Sequence, residues 1–262
     1  MDARDSVSGA RARRGPFAFV EGPRDRERIR SVLLPDHDDL ARLLADRIVA
    51  TIQRETATKG RCVLGLATGS TPLGVYQELI RRYEAGEVDF ARVLTFNLDE
   101  YYPIAPDSPR SFRRYMWENF FAQVNVPAAH VHIPDGAVPR EQLAEHCAAY
   151  ERDIVAAGGI DFQLLGVGKS GHVGFNEPGS AADSRTRLVR LDAITRKDAA
   201  GDFFGEDNVP REAITMGVAT ILAAKEIALI ATGEHKAEIV RRAVEGDVSA
   251  DVAATYLQRH PN

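Results

Sequence analysis

The chain has 262 residues, a formal net charge of −5, 44% hydrophobic and 27% charged residues. That length suits one large α/β domain with a sizeable core, and the acidic balance argues against a nucleic-acid partner. No apolar run approaches the ~18 residues of a membrane helix, no apolar leader is present, and Cys62 and Cys147 stand far apart, so a cytoplasmic protein without a disulfide framework is expected.

The first thirty residues carry Arg4, Arg11, Arg13, Arg14, Arg24, Arg26, Arg28 and Arg30 among Gly and Pro, so residues 1–29 read as a flexible basic extension. From residue 30 to 262 a single domain is expected. Ser31–Leu34 reads as a strand, followed by an amphipathic helix over Asp38–Gln53 with Leu40, Leu43, Leu44, Ile48 and Ile52 on one face. Cys62–Ala67 is a strand before a helix at Leu73–Tyr83, and Val93–Asn97 is a strand before a longer loop and a helix at Phe112–Phe121. Val131–Ile133 leads to a helix at Glu141–Ala156, and Phe162–Val167 leads into a glycine-rich loop. Leu188–Leu191, Ile214–Met216 and Ile227–Thr232 complete the strands, with helices at Lys236–Val244 and Ala250–Leu257. Strands alternating with helices of this length predict an α/β fold with a doubly wound, mainly parallel sheet.

Open parallel sheets place their chemistry at the carboxyl ends of strands, and four loops stand there. The most informative follows the apolar run Asp161–Leu165. Gly166, Gly168 and Gly171 let the backbone turn tightly, and His172 and Glu177 bring an imidazole and a carboxylate to the same loop. The bland alternative is a glycine-rich turn with a surface histidine. In Thr68-Gly-Ser-Thr-Pro72, the N–H groups around Gly69 and the hydroxyls of Thr68, Ser70 and Thr71 suit a phosphate, although plain helix capping with Pro72 at the first helical position fits as well. After Val93–Asn97 come Asp99 and Glu100, either of which is a candidate general base; the pair alone does not show which points inward. Finally, Gly233-Glu-His-Lys236 opens a helix from which Lys236 can reach an anion, a surface lysine being the alternative.

Five strings in order, Leu64-Gly-Leu-Ala-Thr-Gly-Ser-Thr-Pro72, Thr95-Phe-Asn-Leu-Asp-Glu-Tyr101, Gly171-His-Val-Gly-Phe-Asn-Glu-Pro178, Ser184-Arg-Thr-Arg187 and Ala213-Ile-Thr-Met-Gly217, resemble the glucosamine-6-phosphate deaminase family from about residue 30 to the end. The resemblance implies a modified Rossmann-like three-layer α/β/α sandwich acting on an amino-sugar 6-phosphate without metal or organic cofactor; a homo-oligomer is left open. By position it implies that Asp99 moves a proton between C2 and C1, that His172 is the ring-opening acid/base, and that Glu177 orients it. It also puts Ser70, Thr71 and Lys236 at phosphate-contacting positions and Gly166 beside the sugar.

The chain departs from the family pattern within the same region. Ser170 stands where Asp or Asn is common, which predicts a relay one polar partner weaker. Asp202 stands where the family carries its phosphate-binding arginine before the pair Phe203-Phe204, with Arg196 or Lys197 as substitutes. Once the C2 proton is removed, the enediolate-like species has two exits. Reprotonation at C1 and loss of ammonia is deamination, the favoured outcome. Expulsion of the C3 hydroxyl from an N-acetylated sugar is dehydration. A non-catalytic sugar-phosphate sensor and a lactonase of the same fold are the remaining alternatives; the lactonase would not need the Asp99 string.

Overall fold

The computed structural model describes residues 27–262, so nearly all of the expected basic extension lies outside the described residues. Arg28 already packs on the domain: its N–H donates to the Val244 carbonyl at 3.0 Å and its guanidinium lies 3.3 Å from Asp247. The elements are α1 (His37–Lys59), β1 (Cys62–Leu66), α2 (Ser70–Glu84), β2 (Val93–Asn97), β3 (Asp99–Tyr102), α3 (Phe112–Asn119), β4 (Val131–His132) and α4 (Leu143–Ala156). They continue with β5 (Phe162–Gly166), β6 (Arg187–Arg190), α5 (Ala193–Ala199), β7 (Glu212–Thr215), α6 (Val218–Leu222), β8 (Ile227–Ile230) and α7 (Ala237–Glu245). Among the described residues no helix is long and apolar enough to cross a membrane.

Five strands form a parallel sheet in the order β4-β2-β1-β5-β8. The central strands β2, β1 and β5 are almost wholly buried and mainly apolar because both faces are covered. Along β1, Cys62, Leu64 and Leu66 point into the core shared with α1, α2 and α3, whereas Val63 points into the core of α4, α6 and α7. This is the expected three-layer sandwich. The chain winds outward from β1 through β2 to β4, then returns to β5 and β8. The reversal therefore lies between β1 and β5, and the loops after both strands open on the same crevice.

At the opposite, amino end of the sheet, the buried Asp161 carboxylate gathers Lys59 at 2.6 Å, Lys225 at 2.8 Å and the Val63 N–H at 2.8 Å. Burial alone would raise Asp161; the bonds from Lys225, Lys59 and Val63 more than offset it and hold the carboxyl below its ordinary range. This hub ties α1, β1 and β5 to the start of β8.

Several expectations are corrected. Ser31–Leu34 forms no strand: Val32 and Leu33 are exposed, with no neighbouring strand among the described residues to pair with. Ala250–Leu257 is not an α-helix, the segment Ala253–Arg259 being wound as a 3-10 helix. Asp99 and Glu100 do not sit on a loop but open β3. That strand pairs antiparallel with β7, and β7 pairs antiparallel with β6, making a second sheet in the order β3-β7-β6. The expected strands Leu188–Leu191 and Ile214–Met216 thus belong to this small sheet and not to the parallel one.

Candidate active site

The small sheet carries one end of the site. Its register aligns Asp99 of β3, Thr215 of β7 and Arg187 of β6 in a single row. The glycine-rich loop docks on that row. The Phe175 N–H donates to Thr215 Oγ1 at 3.0 Å, and the Arg187 guanidinium donates to Asn176 Oδ1 at 2.9 Å. Asn176 Nδ2 in turn donates to the Met216 carbonyl at 2.8 Å. Between these anchors Gly174, at φ 56°, passes so close that a Cβ there would lie 2.9 Å from Thr215 Oγ1 and 3.3 Å from the Asp99 carboxylate. Only glycine allows the loop to cross Asp99 in this way.

Asp99 and Glu100 have opposite surroundings, as neighbours on a strand must. Glu100 accepts the N–H groups of Tyr101, Phe112 and Arg113, each at 2.9 Å, and so holds the start of α3. Burial pushes it up to about 7 against the pull of those donors. It is a cap, which removes it from the candidate bases. The Asp99 carboxylate takes no bond from a described residue; burial and the Glu100 charge push it up to about 8.

His172 sits on the loop that follows β5. Its ring lies against Gly168, where a Cβ would stand 2.1 Å from Nε2. Its Nδ1 is 2.9 Å from Ser170 Oγ and 3.2 Å from Glu177 Oε2, with Thr195 Oγ1 at 3.5 Å. The Ser170 hydroxyl also reaches Glu177 Oε2 at 3.4 Å. A polar partner is therefore present where a weakened relay was expected, the Ser170 hydroxyl standing between His172 and Glu177. Burial would raise Glu177, but bonds from His172, Thr195 and the Asp192 N–H bring it below the ordinary carboxylate range. Thr195 was not legible in the sequence, since it arrives from α5, more than twenty residues on.

The loops after β1, β5 and β8 meet at the crevice. Gly69, at φ 111°, precedes α2, which starts at Ser70 without any side-chain cap, so the hydroxyls of Thr68, Ser70 and Thr71 are not spent on capping. Pro72 is the third residue of the helix. Thr71 Oγ1 lies 3.4 Å from Thr232 Oγ1, which joins the start of α2 to the end of β8. Lys236 Nζ donates to the Val167 carbonyl at 2.8 Å, and burial pulls its ammonium below the ordinary lysine range. A Cβ on Gly166 would meet nothing within 4 Å, so this residue faces open space at the end of β5.

Two of the sequence candidates are not brought in. Asp202 is exposed in the turn after α5, and Arg196 of α5 spends its guanidinium on Glu206 at 3.2 Å. A groove of about 800 Å3 between α4 and β6, lined by Leu143, Cys147, Glu151, Arg185 and Leu188 among others, holds none of the candidate acid–base groups.

Known proteins resemble this chain over most of its length. The family described as glucosamine-6-phosphate isomerases/6-phosphogluconolactonase matches residues 35–261. The chain is 49% identical to a glucosamine-6-phosphate deaminase of Beutenbergia cavernae, with 88% of this chain and 87% of that protein covered. It is 47% identical to glucosamine-6-phosphate deaminase 2 of Bacillus subtilis, over 87% of this chain and 91% of the other. A solved structure of a monomeric glucosamine-6-phosphate deaminase superposes with a TM-score of 0.83 at 39% identity, covering 87% of this chain and 92% of its own. A match that extends over both sheets and every loop of the crevice leaves one conclusion: the chain belongs to the glucosamine-6-phosphate isomerase/6-phosphogluconolactonase family.

Proposed function

We propose that this protein converts glucosamine 6-phosphate and water to fructose 6-phosphate and ammonia. The observation that carries the reading is the pairing of an unbonded, buried Asp99 with the His172–Glu177 loop that Gly174 brings across it. A C2 proton is acidic enough to remove only when C1 is a free aldehyde, so the sugar ring must open first. His172, steadied at Nδ1 by Glu177 and Ser170, leaves Nε2 to exchange a proton with the anomeric hydroxyl and ring oxygen. Asp99 then takes the C2 proton, and the electron pair moves into the C1 carbonyl to give an enolamine. Returning that proton to C1 places a C=N bond at C2; water adds there and ammonia leaves. Thr68, Gly69, Ser70, Thr71 and Lys236 hold the phosphate, fixing C2 and C1 against Asp99, with Gly166 alongside the sugar.

Both cysteines are free and buried, in keeping with a cytoplasmic setting for a phosphorylated metabolite. Dehydration is tested directly by offering glucosamine 6-phosphate and its N-acetyl derivative separately. Ammonia from the first and no ultraviolet-absorbing unsaturated product from the second is the expected result; the reverse overturns the deaminase reading. For the phosphate loop, Lys236→Ala is expected to raise KM by about tenfold or more, a charge-assisted contact contributing ~1.5–3 kcal/mol. An unchanged KM in steady-state assays would remove Lys236 from the phosphate site.

A further inference from the structure

Lys236 is not the sole ammonium beside the proposed phosphate loop. Lys169 stands two residues along from Val167, whose carbonyl Lys236 holds, and its Nζ lies 2.6 Å from Asp198 of α5. The three charges form one group, since Asp198 supports the ionised form of Lys236 and Lys169 opposes it. The group lies where the loops after β5 and β8 come together, and the Thr71–Thr232 contact joins the start of α2 to the loop after β8. Lys169 has no other hydrogen-bond partner among the described residues, and its side chain is 55% exposed. An ion pair this open is weak and easily exchanged. A phosphate offers three oxygens and more charge than one carboxylate.

We propose that Lys169 is a second phosphate-contacting residue in this chain, giving up Asp198 for the sugar's phosphate on binding. It supplies there the cationic contact missing at Asp202. The identity of the sugar rests on the deaminase reading; the anion site itself does not. Asp198 has a definite part: in competing with phosphate for Lys169, it sets how tightly the anion is held.

The test uses the full-length protein and two probes, inorganic phosphate by calorimetry and glucosamine 6-phosphate by steady-state kinetics. Lys169→Ala is expected to weaken phosphate binding and raise KM about tenfold, with kcat changed by less than about twofold, because the contact is made equally in ground and transition states. Lys169→Arg should retain most of the affinity. Asp198→Asn should tighten phosphate several-fold, the opposite direction to Lys169→Ala. If the pair merely braces the loop, both substitutions lower the melting temperature together and leave the phosphate constants unchanged, which overturns the proposal. Should the unaltered enzyme fail to turn over glucosamine 6-phosphate, the deaminase reading has failed, and phosphate calorimetry on the same variants still decides the role of Lys169.

Discussion

Asp99→Asn is expected to abolish turnover, by about 10²–10⁴-fold or more, while the sugar phosphate still binds. The same substitution is expected to make the protein more stable in alkali. Asp99 is raised from 3.8 to about 8 in the fold. Such a group contributes stability below its unfolded value and loses it as the pH rises through the folded one. Ionising it in place costs on the order of 5 kcal/mol, a cost the amide never meets. Melting curves taken at about pH 5 and at about pH 9.5 should therefore diverge for the native protein and coincide more closely for the variant. The acid limb of kcat/KM should fall near pH 8, since the proposed base works only as a carboxylate, and the limb of kcat should lie lower, where the substrate's ammonium favours ionisation. Glu100→Gln should behave differently, losing stability by about 1–3 kcal/mol through its disturbed N–H partners. Near-normal turnover by Asp99→Asn would sink the mechanism.

Gly168→Ala is expected to be nearly as damaging as His172→Gln, although it touches no substrate. Its backbone lies outside the left-handed region, yet the added methyl would stand 2.1 Å from the imidazole. The ring must swing away from Ser170 and Glu177, and a misplaced acid/base costs about as much as an absent one, roughly 10²–10⁴-fold. Combining the two substitutions should add little to either, because both remove the same function. Normal turnover by Gly168→Ala, measured beside His172→Gln, would separate the ring position from catalysis.

The parallel sheet was legible because β1, β2 and β5 are buried on both faces and so read as largely apolar runs, as does the partly buried edge strand β8. The small sheet was not. Its strand β3 reads Asp-Glu-Tyr-Tyr, the pattern of a solvated loop, and all four residues are buried only because β7 arrives from over a hundred residues away. The choice between Asp99 and Glu100 was hidden for another reason, since it depends on whether α3, a dozen residues on, folds back onto one carboxylate. Ser31–Leu34 misleads in the opposite sense: Val32 and Leu33 have the composition of a strand without a neighbour to pair with. The absence of the phosphate arginine is plain in the sequence, but the replacements it suggests, Arg196 and Lys197, lie along the same helix. Lys169 is hidden within the glycine-rich loop because its relation to Lys236 exists only across two strand ends.

Asp161 gives the fold a lower limit that mirrors the upper one set by Asp99. Its carboxyl is held below the ordinary range, so its contribution is present above the unfolded value near 4 and is lost as the pH falls through the folded one, when Lys59 and Lys225 keep only their longer contacts to Glu55 at 3.6 and 3.4 Å. One acid at the amino end of the sheet resists taking a proton, and another at the carboxyl end resists losing one. The two contributions are best combined in weak acid, near the unfolded value of about 4, and Asp99 withdraws its share steadily from there up to about pH 8. The proposed reaction needs Asp99 as a carboxylate, so the enzyme gains its working base only where the stability contributed by the neutral carboxyl has been given up.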